Sequence, residues 1–201
     1  MLNFSPAPPS DAVWPDDLDG LRRGFADVRA RSAALLDGLD DRALNWSPAP
    51  GRSWSIAQCL DHLTISNTVY LDAMRPAIEQ LQRDNRRRQR PIAAPLLGRL
   101  FVWSLEPPVR VKMPAPGKIA PPPEPKLKNE VWPAFLDILS ERDRLLEACV
   151  PFDLNGTVFT NPFFKQWKLT VGTGWLVLGA HDRRHVWQAE NIRTAWLRQP
   201  A

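Results

Sequence analysis

Residues 171–197 read VGTGWLVLGAHDRRHVWQAENIRTAWL. Within them Trp175, Leu178, His185, Ala189, Ile192 and Trp196 fall at steps of three, four or seven. That is the period of an α-helix with one buried stripe, and it predicts a helix over the whole stretch. His181 and His185 stand four residues apart in it, on one face and one turn from each other. Their only companion in the chain is His62. Gly172-Thr-Gly174 opens the stretch and reads as a loop and helix start rather than a phosphate nest.

The same period recurs upstream. Leu18, Leu21, Phe25, Val28, Ser32, Leu35 and Leu39 mark a first helix, with Asp16, Asp17 and Asp19 placed to suit its dipole. Leu44 to Gly51 is a loop broken by Pro48, Pro50 and Gly51. Ser55-Ile-Ala-Gln58 has the form of a capping box, so a second helix begins there and runs toward Arg83. Ile56, Leu60, Leu63, Tyr70, Met74, Ile78 and Leu81 mark its main stripe, and Cys59, His62, Ile65 and Val69 an adjacent one. Pro76 inside it is expected to kink or shorten it. A third helix is predicted from Asn129 to Ala148, with Val131, Phe135, Ile138, Leu139, Leu145 and Leu146 inward and Pro133 tolerated in its first turn.

Between helices two and three, residues 91–127 carry ten of the 21 prolines. They read as a short helix over 93–105 followed by an extended connection packed on the surface. Residues 151–170 read as a loop, with Asn155-Gly156 and Asn161-Pro162 as turn signals, and no alternating strand pattern is found. The expected fold is all-α: an up-down four-helix bundle with a long proline-rich connection between helices two and three. Residues 1–17 are expected to form an irregular lead-in and residues 18–198 the bundle domain.

The 201 residues, 44% of them hydrophobic, suit one domain with a full core. The net charge is +4 and the pI about 9.4. Five arginines crowd residues 83–90, with no aromatic residue or motif beside them. They read as a solvated helix end, where the dipole favours cations, rather than a phosphate-binding patch, which argues against nucleic acid as a partner. Cys59 and Cys149 belong to no Cys-x-x-Cys pair and read as buried free thiols of a reducing compartment. The N-terminal residues lack the basic and apolar regions of a signal peptide, and no stretch approaches the ~18 apolar residues of a membrane span. A cytoplasmic protein with no membrane partner is the expectation.

The histidines admit two readings. Each can be satisfied separately by a local hydrogen bond. Alternatively His62, one turn after Gln58 and one turn before Ser66, meets His181 and His185 across the core and the three share a transition metal. Each imidazole then needs its other nitrogen fixed, for which Asp61, Asp182, Gln188 and Gln58 are the nearby candidates. Three neutral nitrogens leave coordination positions open, as catalytic centres do and closed structural sites do not. Arg183 or Arg184 is placed to hold an anionic substrate group if it faces the pocket. No Gly-x-Ser-x-Gly, P-loop or dinucleotide-binding motif is present.

Asn45-Trp-Ser-Pro-Ala-Pro-Gly51 followed by Trp54-Ser-Ile-Ala-Gln-Cys-Leu-Asp-His62-Leu63 resembles the first signature of the DinB-like superfamily. Gly174-Trp-Leu-Val-Leu-Gly-Ala-His181-Asp-Arg-Arg-His185-Val-Trp-Gln188 resembles the second. The resemblance covers residues 18–198. It implies a four-helix bundle with His62, His181 and His185 as ligands of nickel, zinc, manganese or iron; Gln58, Ser66 and Gln188, by their positions beside the histidines, are the candidate supporting or pocket residues. It also implies a homodimer and a small-molecule substrate. Relatives of this kind include thiol S-transferases that use a low-molecular-weight thiol, an isomerase, the bundle domain of sulfoxide synthases, and metal-dependent hydrolases. The chain departs from the pattern at Asn161-Pro162, where His-Pro is frequent. The expected function is a metal-dependent transferase or hydrolase. The alternative is a non-catalytic stress-response or binding module with a structural or vestigial metal site.

Overall fold

In the computed structural model the described residues are 16–110 and 116–199, so most of the expected lead-in lies outside them. Helix α1 spans Asp16–Leu36, with three aspartates in its first turn. It stops short of the expected Leu39 because Gly38 takes a positive φ of 68° that ends the helical path. A short helix α2 follows at Asp41–Asn45, where the Asp40 carboxylate caps the Ala43 amide at 2.8 Å. Helix α3 spans Ile56–Asp84 and begins with the expected capping box: Ser55 and Gln58 each accept the other's backbone N–H. Pro76 lies inside α3 without ending it. Helix α4 is Leu96–Leu105 and a 3-10 turn occupies Gly117–Ile119. Helices α5 and α6 span Lys128–Cys149 and Val171–Leu197.

The chain is mostly helical, and the loop at 151–170 holds something the sequence reading missed. Strands β1, Val158–Thr160, and β2, Lys168–Thr170, pair antiparallel with Phe159 opposite Leu169. Only these two residues face inward, too few to register as alternation. The hairpin leads straight into α6, capped by the Thr170 hydroxyl on the Thr173 amide. Gly174 lets α6 press against α3 and β1, since a Cβ there would stand 2.8 Å from the Phe159 ring and 3.0 Å from Met74.

Simple up-down alternation does not hold. Lys126, just before α5, pairs with Asp61 near the start of α3, while Glu141 late in α5 pairs with Arg75 late in α3. These two helices therefore run the same way. At the shared end Lys128 bonds the Leu36 carbonyl at the close of α1, and Arg193 near the end of α6 bonds the Ala34 carbonyl. The order is up-down-down-up. The physical reason is the long connection from Asn85 to Leu127, long enough to carry the chain back along the ~43 Å length of a 29-residue helix.

The core falls into two apolar clusters. One gathers Leu18, Phe25, Met74, Ile78, Leu145 and Trp175; the other gathers Val28, Leu60, Leu63, Phe135, Leu139 and Val186. Each long helix passes from one cluster to the other. At the crossing lies a buried polar seam: Asn67 on α3, Arg142 on α5 and Asp182 on α6. Arg142 donates to Asp182 at 2.6 Å and Asn67 donates to the same carboxylate at 2.9 Å. The Arg142 guanidinium also lies 3.7 Å from the Phe25 ring centroid. Among the described residues no helix is long and apolar enough to cross a membrane.

Candidate metal centre

The seam positions the histidines. His62 stands one turn before Ser66 on α3, and His181 and His185 flank Asp182 on α6. All three imidazoles offer a nitrogen within 4.8 Å of the others'. His62 and His185 are 1% and 7% exposed, so their rings are shielded from bulk water.

The outer ring nitrogens decide where the lone pairs point. His62 Nδ1 lies 2.7 Å from the Ile119 carbonyl, which can only accept, so Nδ1 carries the proton and Nε2 is left bare. His185 Nδ1 lies 3.0 Å from Gln188 Oε1, which fixes the same tautomer. His62 Nε2 and His181 Nε2 are 3.2 Å apart. Two nitrogens sharing an ion at ~2.1 Å each, at a tetrahedral angle, stand about 3.4 Å apart, so a spacing of 3.2 Å is close to what a common cation needs.

Electrostatics keep these rings neutral. Burial pulls His181 down to about 3, helped by the neighbouring His62 and by the positive Arg184. Burial likewise lowers His62, against the opposing pull of the Ile119 carbonyl and Asp61. His185 falls well below its ordinary value from burial first, and because a proton on it would be repelled by one on His181 or His62 and by Arg184. Neutral imidazole is the metal-binding form, so the site is primed for a cation and poor for protons.

The covering layer comes from three segments. The Trp54 ring centroid lies 4.8 Å from His62 and 5.5 Å from His185, stacked on the latter at 28°. The 3-10 turn at Ile119 closes over His62. Arg184 on α6 donates to the Ser104 carbonyl at the end of α4, and Arg183 pairs with Glu106 just beyond.

The other sequence candidates are placed as follows. Gln188 meets His185. Gln58 caps α3 and donates to the Pro122 carbonyl at 3.3 Å, so it tethers the connection rather than a histidine. Ser66 donates to the Leu63 carbonyl within α3. Asp61 bonds Lys126, and Asp182 serves the seam. Asn161 sits fully buried, its Oδ1 accepting from the Phe163 and Phe164 amides at the tip of the hairpin.

Three contributors were missed in the sequence. Arg142 had a signal, since it continues the stripe of Phe135 and Leu139 into Leu145 and Leu146. Trp54 had a weaker one, from its place just before the α3 cap. The Ile119 carbonyl had none, because a backbone acceptor 57 residues from His62 leaves no trace in residue types.

A family model described as the DinB superfamily matches residues 25–189 of the chain. No curated protein and no solved structure matches it.

Proposed function

The chain belongs to the DinB superfamily, and we propose that it is a divalent-metal enzyme with His62, His181 and His185 as the ligands. The single observation that carries this reading is the convergence of three neutral imidazoles, two of them held with the lone pair inward by Ile119 and Gln188. The up-down-down-up arrangement of α1, α3, α5 and α6 is read as the four-helix bundle that carries the site, supported by the contacts among those helices.

A bound nickel, zinc, manganese or iron ion would act as a Lewis acid and make a coordinated water or thiol more acidic. The reaction class is thiol S-transfer from a low-molecular-weight thiol, or hydrolysis. The chain's own residues do the rest. Ile119 and Gln188 orient the ligands, Trp54 excludes water from two of them, and Arg184 adds positive charge that favours an anionic reactant beside the site. A homodimer and a small-molecule substrate complete the proposal. Cytoplasmic location is supported by Cys59 and Cys149, which are buried and unpaired, each in a different core cluster.

The near-complete burial of His62 and His185 also favours a second reading, a non-catalytic module whose metal is structural. Turnover assays of the metal-loaded chain against thiol-plus-electrophile and ester or amide substrates separate the two. Turnover lost in His62→Ala supports the enzyme. Metal binding and stabilisation without turnover on any of these substrates supports the module.

A further inference from the structure

Helix α4 turns an apolar stripe outward. Leu96, Leu97, Leu100 and Trp103 are 69%, 68%, 53% and 53% exposed. Their spacing places them on one face of the helix. The opposite face packs on α6, where a Cβ at Gly98 would stand 2.9 Å from Thr173. The stripe is extended by Phe164, 48% exposed, whose ring meets Phe101 edge-on at 6.2 Å.

The segment that carries this stripe is strongly basic, with Asp17 and Asp153 of neighbouring elements lying against its first residues. Residues 85–110 hold six arginines and a single acid, Glu106. Glu106 is neutralised by Arg183, and Arg88 is engaged by Asp17. Arg86, Arg87, Arg90, Arg99 and Arg110 are exposed. The Arg110 guanidinium lies 5.1 Å from the Trp103 ring centroid, so cation and apolar surface share one patch.

We propose that α4 and its arginines form a docking face for an anionic lipid surface. Leucines and a tryptophan at headgroup depth, with guanidiniums on lipid phosphates, are the two components of interfacial binding. A second copy on the same face would set two basic rims against each other, because a two-fold interface meets its own patch. Nucleic acid would match the arginines and leave four large apolar side chains in water. The proposal departs from the expectation of no membrane partner, which rested on the lack of a spanning segment; a helix lying in the interface plane needs none. The proposal stands independently of the metal centre.

The test is co-sedimentation of the full chain with vesicles of phosphatidylcholine alone and of phosphatidylcholine with about one third phosphatidylglycerol, at low salt. Partition onto the anionic vesicles is expected to exceed that onto the neutral ones by about tenfold and to fall as salt rises. Leu96→Ser/Leu100→Ser is expected to lose about tenfold of that binding, with an unchanged circular dichroism spectrum because both residues are exposed. Arg90→Gln/Arg99→Gln is expected to weaken it as well. Three results overturn the proposal: equal vesicle binding by wild type and the leucine variant, no vesicle binding with a dimer that the leucine variant dissociates, or no vesicle binding with salt-sensitive binding to duplex DNA.

Discussion

Arg142 and Asp182 form an ion pair at 2.6 Å with both side chains wholly removed from solvent. The pair joins α5 to α6 at the level where the two apolar clusters meet. Burial pushes the Asp182 carboxyl up, and Arg142 and Asn67 oppose that push. Asp182 is also the residue after His181, so the pair anchors α6 beside the first of its two histidines.

Removing Arg142 leaves the Asp182 charge buried with only the Asn67 amide as partner, and removing Asp182 leaves the buried Arg142 with the half-exposed Asp143 as its one carboxylate. Asp182→Ala and Arg142→Ala are each expected to cost about 3–5 kcal/mol, read from urea unfolding midpoints at constant m. Arg142→Met/Asp182→Leu is expected to cost clearly less than either single change, because no charge remains unpaired. Additive losses in the double variant would show that the pair is not the seam's organising contact.

The Gln188 amide holds the His185 tautomer. Gln188→Ala is expected to weaken metal affinity by about 10–100-fold while the metal count at saturation stays the same. Titration calorimetry with zinc measures both. An unchanged affinity would mean that His185 is oriented by packing alone.

Trp54 shields two ligands and is only half-buried itself. Trp54→Ala is expected to leave the ligand set intact and to speed removal of the metal by a chelator by about tenfold, since the cover over His62 and His185 is gone. Stopped-flow absorbance with a coloured chelator reports the rate. Identical rates in variant and wild type would place the entry path elsewhere.

The metal-free chain has a pH dependence of predictable sign. His181 is held at about 3 in the fold, and His62 and His185 are lowered too. In the unfolded chain each returns to ~6.5. Between those limits the unfolded state binds more protons, so stability is highest above ~6.5 and is lost as pH falls toward 3. With chelator present, the urea midpoint is expected to drop from pH 7 to pH 5, and to drop less in His181→Ala. A flat profile in wild type would contradict the buried neutral state.

The long helices were legible because their apolar residues repeat at three and four over many turns, and the Ser55–Gln58 box marks the start of α3 directly. The His181 and His185 pair was legible for the same reason: helix periodicity fixes neighbours four residues apart. Direction was not legible. The sequence shows a long connection but not that residues 85–127 carry the chain back to lay α5 parallel to α3. The hairpin at 158–170 was missed because each strand has three residues and one inward side chain. The seam was half visible, since Arg142 lies on an apolar stripe, yet its partner Asp182 reads from sequence as an ordinary exposed helical acid. The Ile119 carbonyl belongs to a class of contact that only the folded backbone creates.

The most direct measurement is elemental analysis of the purified chain beside a His181→Ala/His185→Ala variant, each after incubation with nickel, zinc, manganese or iron. About one divalent ion per chain is predicted in wild type, and none in the variant, whose helical content is retained. Wild type that takes up no metal, or a variant that holds as much as wild type, would contradict the three-histidine centre.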